Sequence, residues 1–475
     1  MTERFGKRFR PSLLAFFLRH VAGLHTVSRI AAFSVRRYRD RTFLIDAASG
    51  NRLTFQEFGL RAREAAERLS TFGLSKGDVL CFQDTTSVDY FSYRLACDQL
   101  GVAFMALPAS LDEKTVETLS TQAEARAFYS AGNLSAHSDK LRPRPHASCV
   151  ATLNVSSGTT APVPKIVGLT ERNWIESLYA YLESSAESPN TQTIFLCALP
   201  LAAAGSTTFL PSLLGGVTYV IVGENPGPDA IVDYVRKYGV NQLYLTPYRL
   251  FELAEHCAHN RIRLPGLCKI ITGTERAPAA RLREAIETFG PIVHVGYGMV
   301  EALPPLSMLG PSDYRKLGSV GKPFAGADVR IGTDGRIVIR TSTVGTGYLN
   351  DAEESTRHFH DGCFFTNDYG HIDDEGFLYV LGRKEEIVAE EPRRVFAAEI
   401  EDALYEIPAV RRCTAVSVQD RVTVFISLRS SFPVRELEVT ANRITPCRVV
   451  RRDDLPINAL GKLDRRLLSH EAARC

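Results

Sequence analysis

Hydrophobic positions in the first half of the chain alternate between short apolar runs and longer amphipathic stretches. The stretch LTFQEFGLRAREAAERLSTFGL, which starts at Leu53, predicts a strand entering a helix that ends at Gly73. Further buried strands are predicted for DVLCFQ, GVAFMALP, QTIFLCALP, VTYVIVG, NQLYLTP and CKIITG. Because helix-like stretches separate these runs, the pattern predicts an α/β body with a largely parallel sheet.

The pattern changes after about Gly318. ADVRIGTDGRIVIRT contains two alternating runs around Asp334-Gly335, which is typical of a β-hairpin. GCFFTNDYGHIDDEGFLYVLGR predicts a second hairpin that turns near Glu375-Gly376. A β-rich subdomain is therefore expected at the end of the larger domain, which would combine mixed and parallel sheets flanked by helices.

A charged stretch, KEEIVAEEPRRV, follows the second hairpin. After it come the helix-like FAAEIEDALYEIP and the strand-like CTAVSVQD and VTVFISL. We place a domain boundary at Arg383–Lys384, so that residues 29–383 form the N-terminal domain and residues 384–475 a small α+β domain. Residues 1–28 form a basic extension, in which Leu14, Phe17, Val21 and Leu24 have helical spacing.

Composition narrows the class of protein. A chain of 475 residues with 45% hydrophobic and 23% charged residues is typical of a soluble globular protein with a sizeable core. The formal charge of +2 does not suggest a nucleic-acid binder. No signal peptide or transmembrane segment is predicted, and the ten cysteines form no CxxC pair, so a reducing cytoplasm is the expected location.

The first 40 residues are unusually basic, with nine Lys or Arg residues against two acidic residues. Such a segment can contact an anionic lipid surface, an acidic protein or RNA. A solvated helix packed on the body is the simpler interpretation. His256, Cys257 and His259 lie within one helical turn, but two or three ligands without a second cluster are a weak sign of a metal site.

The stretch NVSSGTTAPVPKIVGLT predicts an anion-binding loop. Its hydroxyl groups can donate hydrogen bonds, its glycine lets backbone N–H groups approach oxygen, and its lysine adds a charge. The loop lacks the GxxxxGK[ST] pattern of a P-loop, and a Ser/Thr-rich surface turn is the alternative. The candidate phosphate ligands are Ser156, Ser157, Gly158, Thr159, Thr160 and Lys165.

Four later stretches, taken in order with this loop, carry a resemblance to a known family. They are HVGYGMVEA, FFTNDYG, YVLGRKEE and LPINALGKLDRRLL. The ordered set resembles the adenylate-forming superfamily of acyl- and aryl-CoA synthetases, peptide-synthetase adenylation domains and luciferases, from about Arg29 to Leu468. The last stretch matches the family ending LPxTxxGKxxRxxL at Leu455, Pro456, Gly461, Lys462, Arg465 and Leu468.

The resemblance implies an enzyme that joins a carboxylic acid to ATP, releases pyrophosphate and usually passes the acyl group to a thiol. It implies that Tyr297 lies on the adenine, that Glu301 binds Mg²⁺, and that Asp368 holds the ribose hydroxyls with help from Arg383. Gly273 and Gly298 would also contact the nucleotide. Lys462 would be the catalytic residue that contacts the carboxylate and the α-phosphate, a role that suits a cation because both reactants are anionic.

The resemblance also implies a moving C-terminal domain. In the family this domain first delivers its lysine and then rotates to build a tunnel for the thiol. The pivot would be Glu385, where an aspartate is common. This is a hinge motion of ordinary type.

The chain departs from the family pattern in several places. The phosphate loop is one residue longer and lacks its second glycine, Val300 replaces a threonine, and Asn367 replaces a glycine. Glu390-Glu391-Pro392-Arg393-Arg394 stands where CoA ligases often carry SGGEN. Two carboxylates there would repel the phosphates of CoA, whereas the arginines would attract them or an acidic carrier protein.

The region expected to hold the acid, ALPLAAAGSTTF, carries no aspartate for an amino-acid ammonium group. An uncharged wall favours an aryl or acyl acid. Its expected residues are Ala202, Ala203, Ala204 and Gly205, together with Gly296.

The sequence thus predicts an ATP- and Mg²⁺-dependent ligase that activates an aryl or medium-chain acyl acid. The acceptor would be the thiol of CoA or the phosphopantetheine of an acyl carrier protein, and a carrier protein in a biosynthetic pathway is slightly favoured. The alternatives are a degradative CoA ligase and a non-catalytic nucleotide-binding homologue. A basic-tailed membrane or RNA adaptor is supported only by residues 1–40.

Overall fold

The computed structural model describes residues 23–83, 87–137, 150–156, 164–184, 190–202, 204–223, 226–390, 393–458 and 462–474. Of the predicted apolar helix face, Leu14, Phe17 and Val21 lie outside these residues, whereas Leu24 is described and buried. The α-helices in the described ranges are α1 Val27–Arg37, α2 Phe55–Thr71, α3 Asp89–Leu100, α4 Glu113–Gln122, α5 Glu171–Ser184, α6 Phe209–Gly215, α7 Pro228–Tyr238, α8 Pro247–His259, α9 Ala279–Phe289, α10 Ala352–His358, α11 Ala397–Tyr405, α12 Val434–Asn442 and α13 Arg465–Ala472.

A nine-stranded central sheet forms the middle of the N-terminal part. Its order is β15-β14-β13-β12-β11-β9-β10-β1-β2, and the pairs from β1 to β13 along this order are parallel. The strands are β1 Thr42–Asp46, β2 Arg52–Thr54, β9 Ile194–Cys197, β10 Thr218–Ile221, β11 Gln242–Leu245, β12 Lys269–Thr272, β13 Val293–Tyr297, β14 Ser307–Leu309 and β15 Lys322–Pro323.

A second sheet, with α3 packed between it and the first, has six strands in the order β6-β5-β3-β4-β7-β8. Its inner pairs are parallel, and β6 and β8 are antiparallel edge strands. The strands are β3 Val79–Phe82, β4 Ala103–Ala106, β5 Ala127–Ser130, β6 Asn133–Ala136, β7 Val150–Val155 and β8 Ile166–Thr170. The predicted α/β fold class with substantially parallel sheets is confirmed.

The β-rich subdomain is an antiparallel sheet in the order β16-β17-β19-β18, with β20 paired to β19. Both predicted hairpins are confirmed, and glycine at φ +88° and φ +86° occupies the turns at Gly335 and Gly376. The strands are β16 Ala327–Ile331, β17 Arg336–Thr341, β18 Phe359–His360, β19 Cys363–Ile372 and β20 Leu378–Arg383.

The C-terminal part begins after β20 with a 3₁₀ helix, Lys384–Glu386. Its three-stranded sheet pairs β23 with β24 antiparallel and β24 with β25 parallel, and α11 and α12 pack on it. The strands are β21 Ile387–Ala389, β22 Val395–Phe396, β23 Val410–Val418, β24 Arg421–Leu428 and β25 Cys447–Arg451. The position of the domain boundary stays a prediction.

The junction between β2 and α2 illustrates how local sequence sets an element. The Thr54 hydroxyl accepts a hydrogen bond from the Glu57 N–H, and the Glu57 carboxylate accepts one from the Thr54 N–H. This capping box satisfies two N–H groups at the start of the helix. Gly73, with φ +92°, follows the end of α2, as the sequence predicts.

Separate apolar clusters cover the two faces of the central sheet. One face packs against α1–α3 and α6, with an aromatic group at Phe43, Phe55, Phe58, Phe91 and Phe209. The other face lies under α7, α8 and α9. A third cluster belongs to the C-terminal part. Among the helices of the described ranges, none has the length and apolar character needed to cross a bilayer.

Candidate active site

A cavity of about 350 Å³ extends along one face of the central sheet to the carboxyl ends of its strands, where ligands commonly bind in α/β sheets. Both parts of the chain line it. The N-terminal part contributes Ser156 and Lys165, and the segment after β20 contributes Glu385 and Lys462. The structure therefore brings together residues that are about 300 positions apart in the sequence.

Asp368 is held by two neighbours at the edge of this cavity. The Tyr297 hydroxyl donates to one of its oxygens at 2.7 Å, and the Arg383 Nε donates to the other at 3.1 Å. The antiparallel pairing of β19 and β20 places Asp368 directly opposite Arg383. A buried carboxylate fixed in this way is oriented to accept further hydrogen bonds, such as those from two hydroxyl groups.

Glu301 lines the cavity and accepts a hydrogen bond from the Tyr348 hydroxyl at 3.1 Å. Burial raises the pKa of the Glu301 carboxyl group above its ordinary value. A nearby cation would favour the charged form and offset that burial. A carboxylate oxygen is also the kind of ligand that Mg²⁺ prefers, so the residue present fits this metal.

Lys462 reaches across from the C-terminal part. Its Nζ donates a hydrogen bond of 2.9 Å to the backbone oxygen of Thr274, which follows β12. The backbone of Lys462 is held by Asn458, whose side chain accepts from the Lys462 N–H at 3.1 Å. Asp464 then caps the start of α13. The Asn458 hydrogen bond and the start of α13 at Asp464 therefore fix the position of Lys462.

The loop after β12 forms the wall opposite Lys462. Gly273 is required there, because a Cβ atom would lie 2.6 Å from the Gly296 carbonyl oxygen. Thr274 has φ +77°, and its buried hydroxyl has no hydrogen-bond partner among the residues that the structure describes. Since buried polar groups are normally paired, this hydroxyl is suited to a polar ligand in the cavity.

The predicted phosphate loop is described only at its ends. The Ser156 hydroxyl accepts from the Lys165 N–H at 3.0 Å. The Lys165 side chain pairs with Glu354 on α10 and lies 4.7 Å from the centre of the Tyr348 ring. Four predicted phosphate ligands lie outside the described residues: Ser157, Gly158, Thr159 and Thr160.

The predicted acid-binding wall is present in part. Ala202 and Gly296 line the cavity, as does Ala204, whereas Ala203 lies outside the described residues. Gly205 lies behind this wall, where the carbonyl oxygens of Leu199 and Pro200 would come within 2.9 Å of a Cβ atom. Gly298 and Tyr297, at the end of β13, line the same cavity.

The segment after β20 places the predicted pivot, Glu385, in the exposed 3₁₀ helix beside the cavity. The arginines that follow are already engaged in this arrangement. Arg393 pairs with Glu399 at 2.8 Å, and Arg394 donates to the Asp334 carbonyl oxygen at 3.1 Å. Neither guanidinium group is therefore free to hold an acceptor here without exchanging partners.

Ion pairs join the two parts of the chain beside the cavity, an arrangement we call the interdomain ion pairs. Arg412 on β23 is at its centre, with a side chain only 8% exposed and its guanidinium 4.2 Å from the centre of the Tyr248 ring. The pairs are Arg412–Glu252 at 2.9 Å, Arg411–Glu255 at 3.2 Å, Arg429–Glu284 at 2.7 Å, Arg283–Glu406 at 2.5 Å and Arg276–Asp402.

Comparison with known families decides the assignment of the chain. The family model described as AMP-binding enzyme matches residues 32–349. The chain belongs to the AMP-binding enzyme family. The predicted resemblance to the adenylate-forming superfamily is thereby confirmed.

Curated relatives of this AMP-binding enzyme are CoA ligases. The chain is 26% identical to the 2-succinylbenzoate–CoA ligase of Bacillus licheniformis over 461 residues, 88% of this chain and 95% of the relative. It is 28% identical to the medium/long-chain-fatty-acid–CoA ligase of Mycobacterium tuberculosis over 371 residues, 70% of this chain and 64% of that protein's length. These relatives support the predicted enzyme class, an AMP-forming acid–thiol ligase.

Solved structures share the fold. The amide bond synthetase from Marinactinospora thermotolerans matches with a TM-score of 0.80 and 22% identity, covering 93% of this chain and 99% of the other. The O-succinylbenzoate coenzyme A synthetase from Bacillus subtilis, solved with AMP, matches with a TM-score of 0.78 and 24% identity, covering 92% and 97%.

Three residues of this AMP-binding enzyme's site were not anticipated from its sequence. Tyr348 contacts Glu301, Glu354 pairs with Lys165, and Glu275 lies next to Lys462. The partners lie between 47 and 189 positions apart, so no local spacing joins them. Glu275 stands between Thr274 and Arg276, so its sequence neighbours do not mark it as a site residue.

Glu275 predicts a pH effect on the stability of this AMP-binding enzyme. Burial raises the pKa of its carboxyl group to about 7 from an ordinary 4.5, and Lys462 opposes the rise. Between these values the folded chain keeps a proton that the unfolded chain releases. The free energy of unfolding should therefore fall as the pH rises through this window.

The measurement is thermal unfolding of the wild type and of Glu275→Gln at about pH 5 and about pH 7.5. We expect the midpoint of the wild type to fall between the two conditions by more than that of the variant. Parallel shifts in the two proteins would mean that Glu275 titrates at its ordinary value when the chain is folded.

Proposed function

We propose that the protein activates a carboxylic acid with an uncharged aryl or medium-chain acyl group, using ATP, and transfers the acyl group to a pantetheine thiol in the cytoplasm. The observation that carries this proposal is that Lys462, from the C-terminal part, lines the same cavity as Lys165, Glu301 and Arg383. Cations and a carboxylate converge there on one space. Beside them lies a wall without charge.

In the first half-reaction the nucleotide would lie at the carboxyl ends of the central strands. Asp368, oriented by Tyr297 and Arg383, would accept hydrogen bonds from the ribose hydroxyls. Ser156 and Lys165 would hold the β- and γ-phosphates, together with the rest of their loop. Gly273, Gly298 and the ring of Tyr297 would border the adenine.

Lys462 would contact both reactants. A carboxylate oxygen of the acid attacks the α-phosphorus, the bond from this phosphorus to its bridging oxygen breaks, and pyrophosphate leaves. Two anions are brought together in this step, so a cation that reaches both lowers the barrier and aligns them. Lys462 would have to leave the Thr274 carbonyl oxygen to do so.

Glu301 is the residue that would hold Mg²⁺. When bound, this ion neutralises charge on the phosphate oxygens. The Tyr348 hydroxyl orients the Glu301 carboxylate by donating to it at 3.1 Å.

In the second half-reaction a thiol loses its proton and its sulfur attacks the acyl carbon, and AMP leaves. We propose that the C-terminal domain, residues 384–475, rotates about Glu385 between the two steps. The exposed position of Glu385 in a short 3₁₀ helix supports such a hinge.

The proposed acceptor is the phosphopantetheine of an acyl carrier protein, with free CoA as the alternative that the names of the relatives support. Glu390, 67% exposed, offers a carboxylate that would repel the phosphates of CoA. Transfer rates to CoA and to a phosphopantetheinylated carrier protein distinguish the two. A strong preference for CoA would reject the proposal that a carrier protein is the acceptor.

Pyrophosphate release with ATP and a panel of aryl, acyl and amino acids tests the proposed function. We expect release with uncharged acyl or aryl acids and little with amino acids. No release with any acid would instead indicate a nucleotide-binding homologue without catalysis.

The ion pair between Lys165 and Glu354 leads to a separate prediction. The lysine must exchange this carboxylate for phosphate oxygens when ATP binds, and Arg357 and His358 also face Glu354. Glu354→Gln should therefore lower the KM for ATP by about fivefold, the factor for an ion pair of about 1 kcal/mol, and leave the KM for the acid unchanged.

Glu353→Gln is the matched control, because Glu353 lies on the same helix, is exposed and pairs only with Arg357 in the described part of the chain. Its KM for ATP should equal that of the wild type. A higher KM for ATP in Glu354→Gln would show that the carboxylate holds Lys165 in its productive position.

A further inference from the structure

Side chains on β11 alternate between the cavity and the opposite core. Gln242 and Tyr244 line the cavity, whereas Leu243 and Leu245 pack under the helices on the other face. This is the two-residue period of a strand. The neighbouring strand β9 likewise presents Phe195 to the cavity. The face of the central sheet is therefore one continuous wall of the cavity.

The cavity follows this face from one end of the strands to the other. At the carboxyl ends it is lined by Thr246 and Thr274, next to Lys462. At the amino ends it is lined by Gln242, the first residue of β11, and by Thr193, which immediately precedes β9. From Gln242 to Thr246 the strand rises about 13 Å, at about 3.3 Å per residue.

The lining changes character along this length. All the charged side chains that line the cavity lie toward the nucleotide end, among the described residues: Lys165, Glu301, Arg383, Glu385 and Lys462. Apolar and aromatic side chains make up much of the remaining lining, among them Phe195, Leu199, Tyr244, Met299 and Leu303. Uncharged hydroxyl side chains also belong to it: Ser177, Tyr181, Thr207, Thr208 and Ser212. The inner end closes with the Gln242 amide and the Thr193 hydroxyl. The inner half therefore has no charged side chain in its described lining and suits an uncharged group.

We propose that the acid is an elongated medium-chain fatty acid, and that Gln242 and Thr193 set its maximal length. This inference rests on the proposed function, which places the carboxylate beside Lys462. The acyl chain would run along β9 and β11 toward their amino ends. A compact acid such as a benzoate would fill only the outer half and leave the apolar inner walls without contacts.

Chain length is the test, because each methylene that leaves water adds a nearly constant increment to binding. Pyrophosphate release by the full-length protein is measured with straight-chain acids from butanoate to tetradecanoate, and with benzoate and 4-hydroxybenzoate. We expect kcat/KM to rise about fourfold per methylene up to an optimum and then to fall. A flat series, or a maximum with the benzoates, would overturn the proposal.

Calorimetric binding of the same acids, in the presence of ATP and in its absence, separates this inference from the proposed function. Length-dependent binding without pyrophosphate release would reject the catalytic function and retain the elongated pocket. Pyrophosphate release without length dependence would reject the elongated pocket and retain the catalytic function.

Substitutions at the inner end should shift the optimum in opposite directions. Gln242→Phe fills the end, so the ratio of kcat/KM for decanoate to that for hexanoate should fall at least tenfold. Gln242→Ala enlarges it, so the optimum should move to longer acids. Gln192→Phe is the control, because Gln192 is exposed just before β9 and lies outside the cavity lining. An unchanged optimum in both Gln242 variants would show that the acyl chain ends elsewhere.

Discussion

Lys462→Ala should slow acyl-AMP formation by about 10²- to 10³-fold, the loss typical of removing one preorganised electrostatic group from an active site. Lys462 is the cation that reaches the cavity from the C-terminal part, and its Nζ lies 2.9 Å from the Thr274 carbonyl oxygen. Thiolation of supplied acyl-AMP should largely survive, because that step needs no cation between two anions. The two half-reactions are measured separately, by pyrophosphate release and by thioester formation.

Lys237→Ala provides the control for Lys462→Ala. Lys237 is exposed at the end of α7, where its Nζ lies 5.0 Å from the centre of the Tyr238 ring, and it is absent from the cavity lining. Both half-reactions should proceed at the wild-type rate in this variant. An equal loss of both half-reactions in Lys462→Ala would show that the lysine supports folding or domain contact and is not specific to adenylation.

Arg412→Ala should slow adenylation about 10- to 100-fold while leaving thiolation of supplied acyl-AMP near the wild-type rate. Removing one partner of a buried ion pair costs about 3–5 kcal/mol, and the partial exposure of Asp454 lowers that figure here. Arg412 pairs with Glu252 of the N-terminal part and with Asp454 of its own part. Its loss should therefore depopulate the arrangement that delivers Lys462.

The neighbouring residue supplies a matched control. Arg411 also bridges the two parts, but its side chain is 33% exposed and its pair with Glu255 is 3.2 Å long. Surface pairs of this kind contribute about 0.2–1 kcal/mol, so Arg411→Ala should slow adenylation less than about fivefold. If the two variants lost adenylation equally, burial of Arg412 would not be what positions the C-terminal part. Thermal unfolding of both variants checks that the fold is intact.

Several motifs in a fixed order were enough to predict the family and the main site residues from the sequence. The ending LPINALGKLDRRLL led to Lys462, and FFTNDYG and YVLGRKEE led to Asp368 and Arg383, which lie opposite each other on paired strands. Strands and hairpins could be predicted because apolar periodicity and turn residues act within a few positions. Fold class follows from such local signals, whereas the enzyme class was implied by the resemblance of the ordered motifs to a known family.

Contacts between distant segments could not be predicted in this way. Glu354 meets Lys165 across 189 positions, and Arg412 meets Glu252 across 160. Charged residues of both signs occur throughout the chain, so nothing in the spacing selects these pairs. Gly205 was expected on the wall of the acid pocket for its small size, but backbone carbonyl oxygens occupy the space beside it. Only the folded chain distinguishes a glycine facing a cavity from one packed against its own backbone.

The interdomain ion pairs have a consequence for the timing of the proposed reaction. Rotation of residues 384–475 would separate at least five cation–anion contacts, and dissolved electrolyte weakens such contacts where they are exposed. At low ionic strength the closed arrangement is favoured, so pyrophosphate would leave in an initial burst while the acyl-adenylate waits. Raising the electrolyte concentration would speed the rotation of residues 384–475 but slow adenylation. The overall rate of the two steps would therefore be greatest at an intermediate electrolyte concentration.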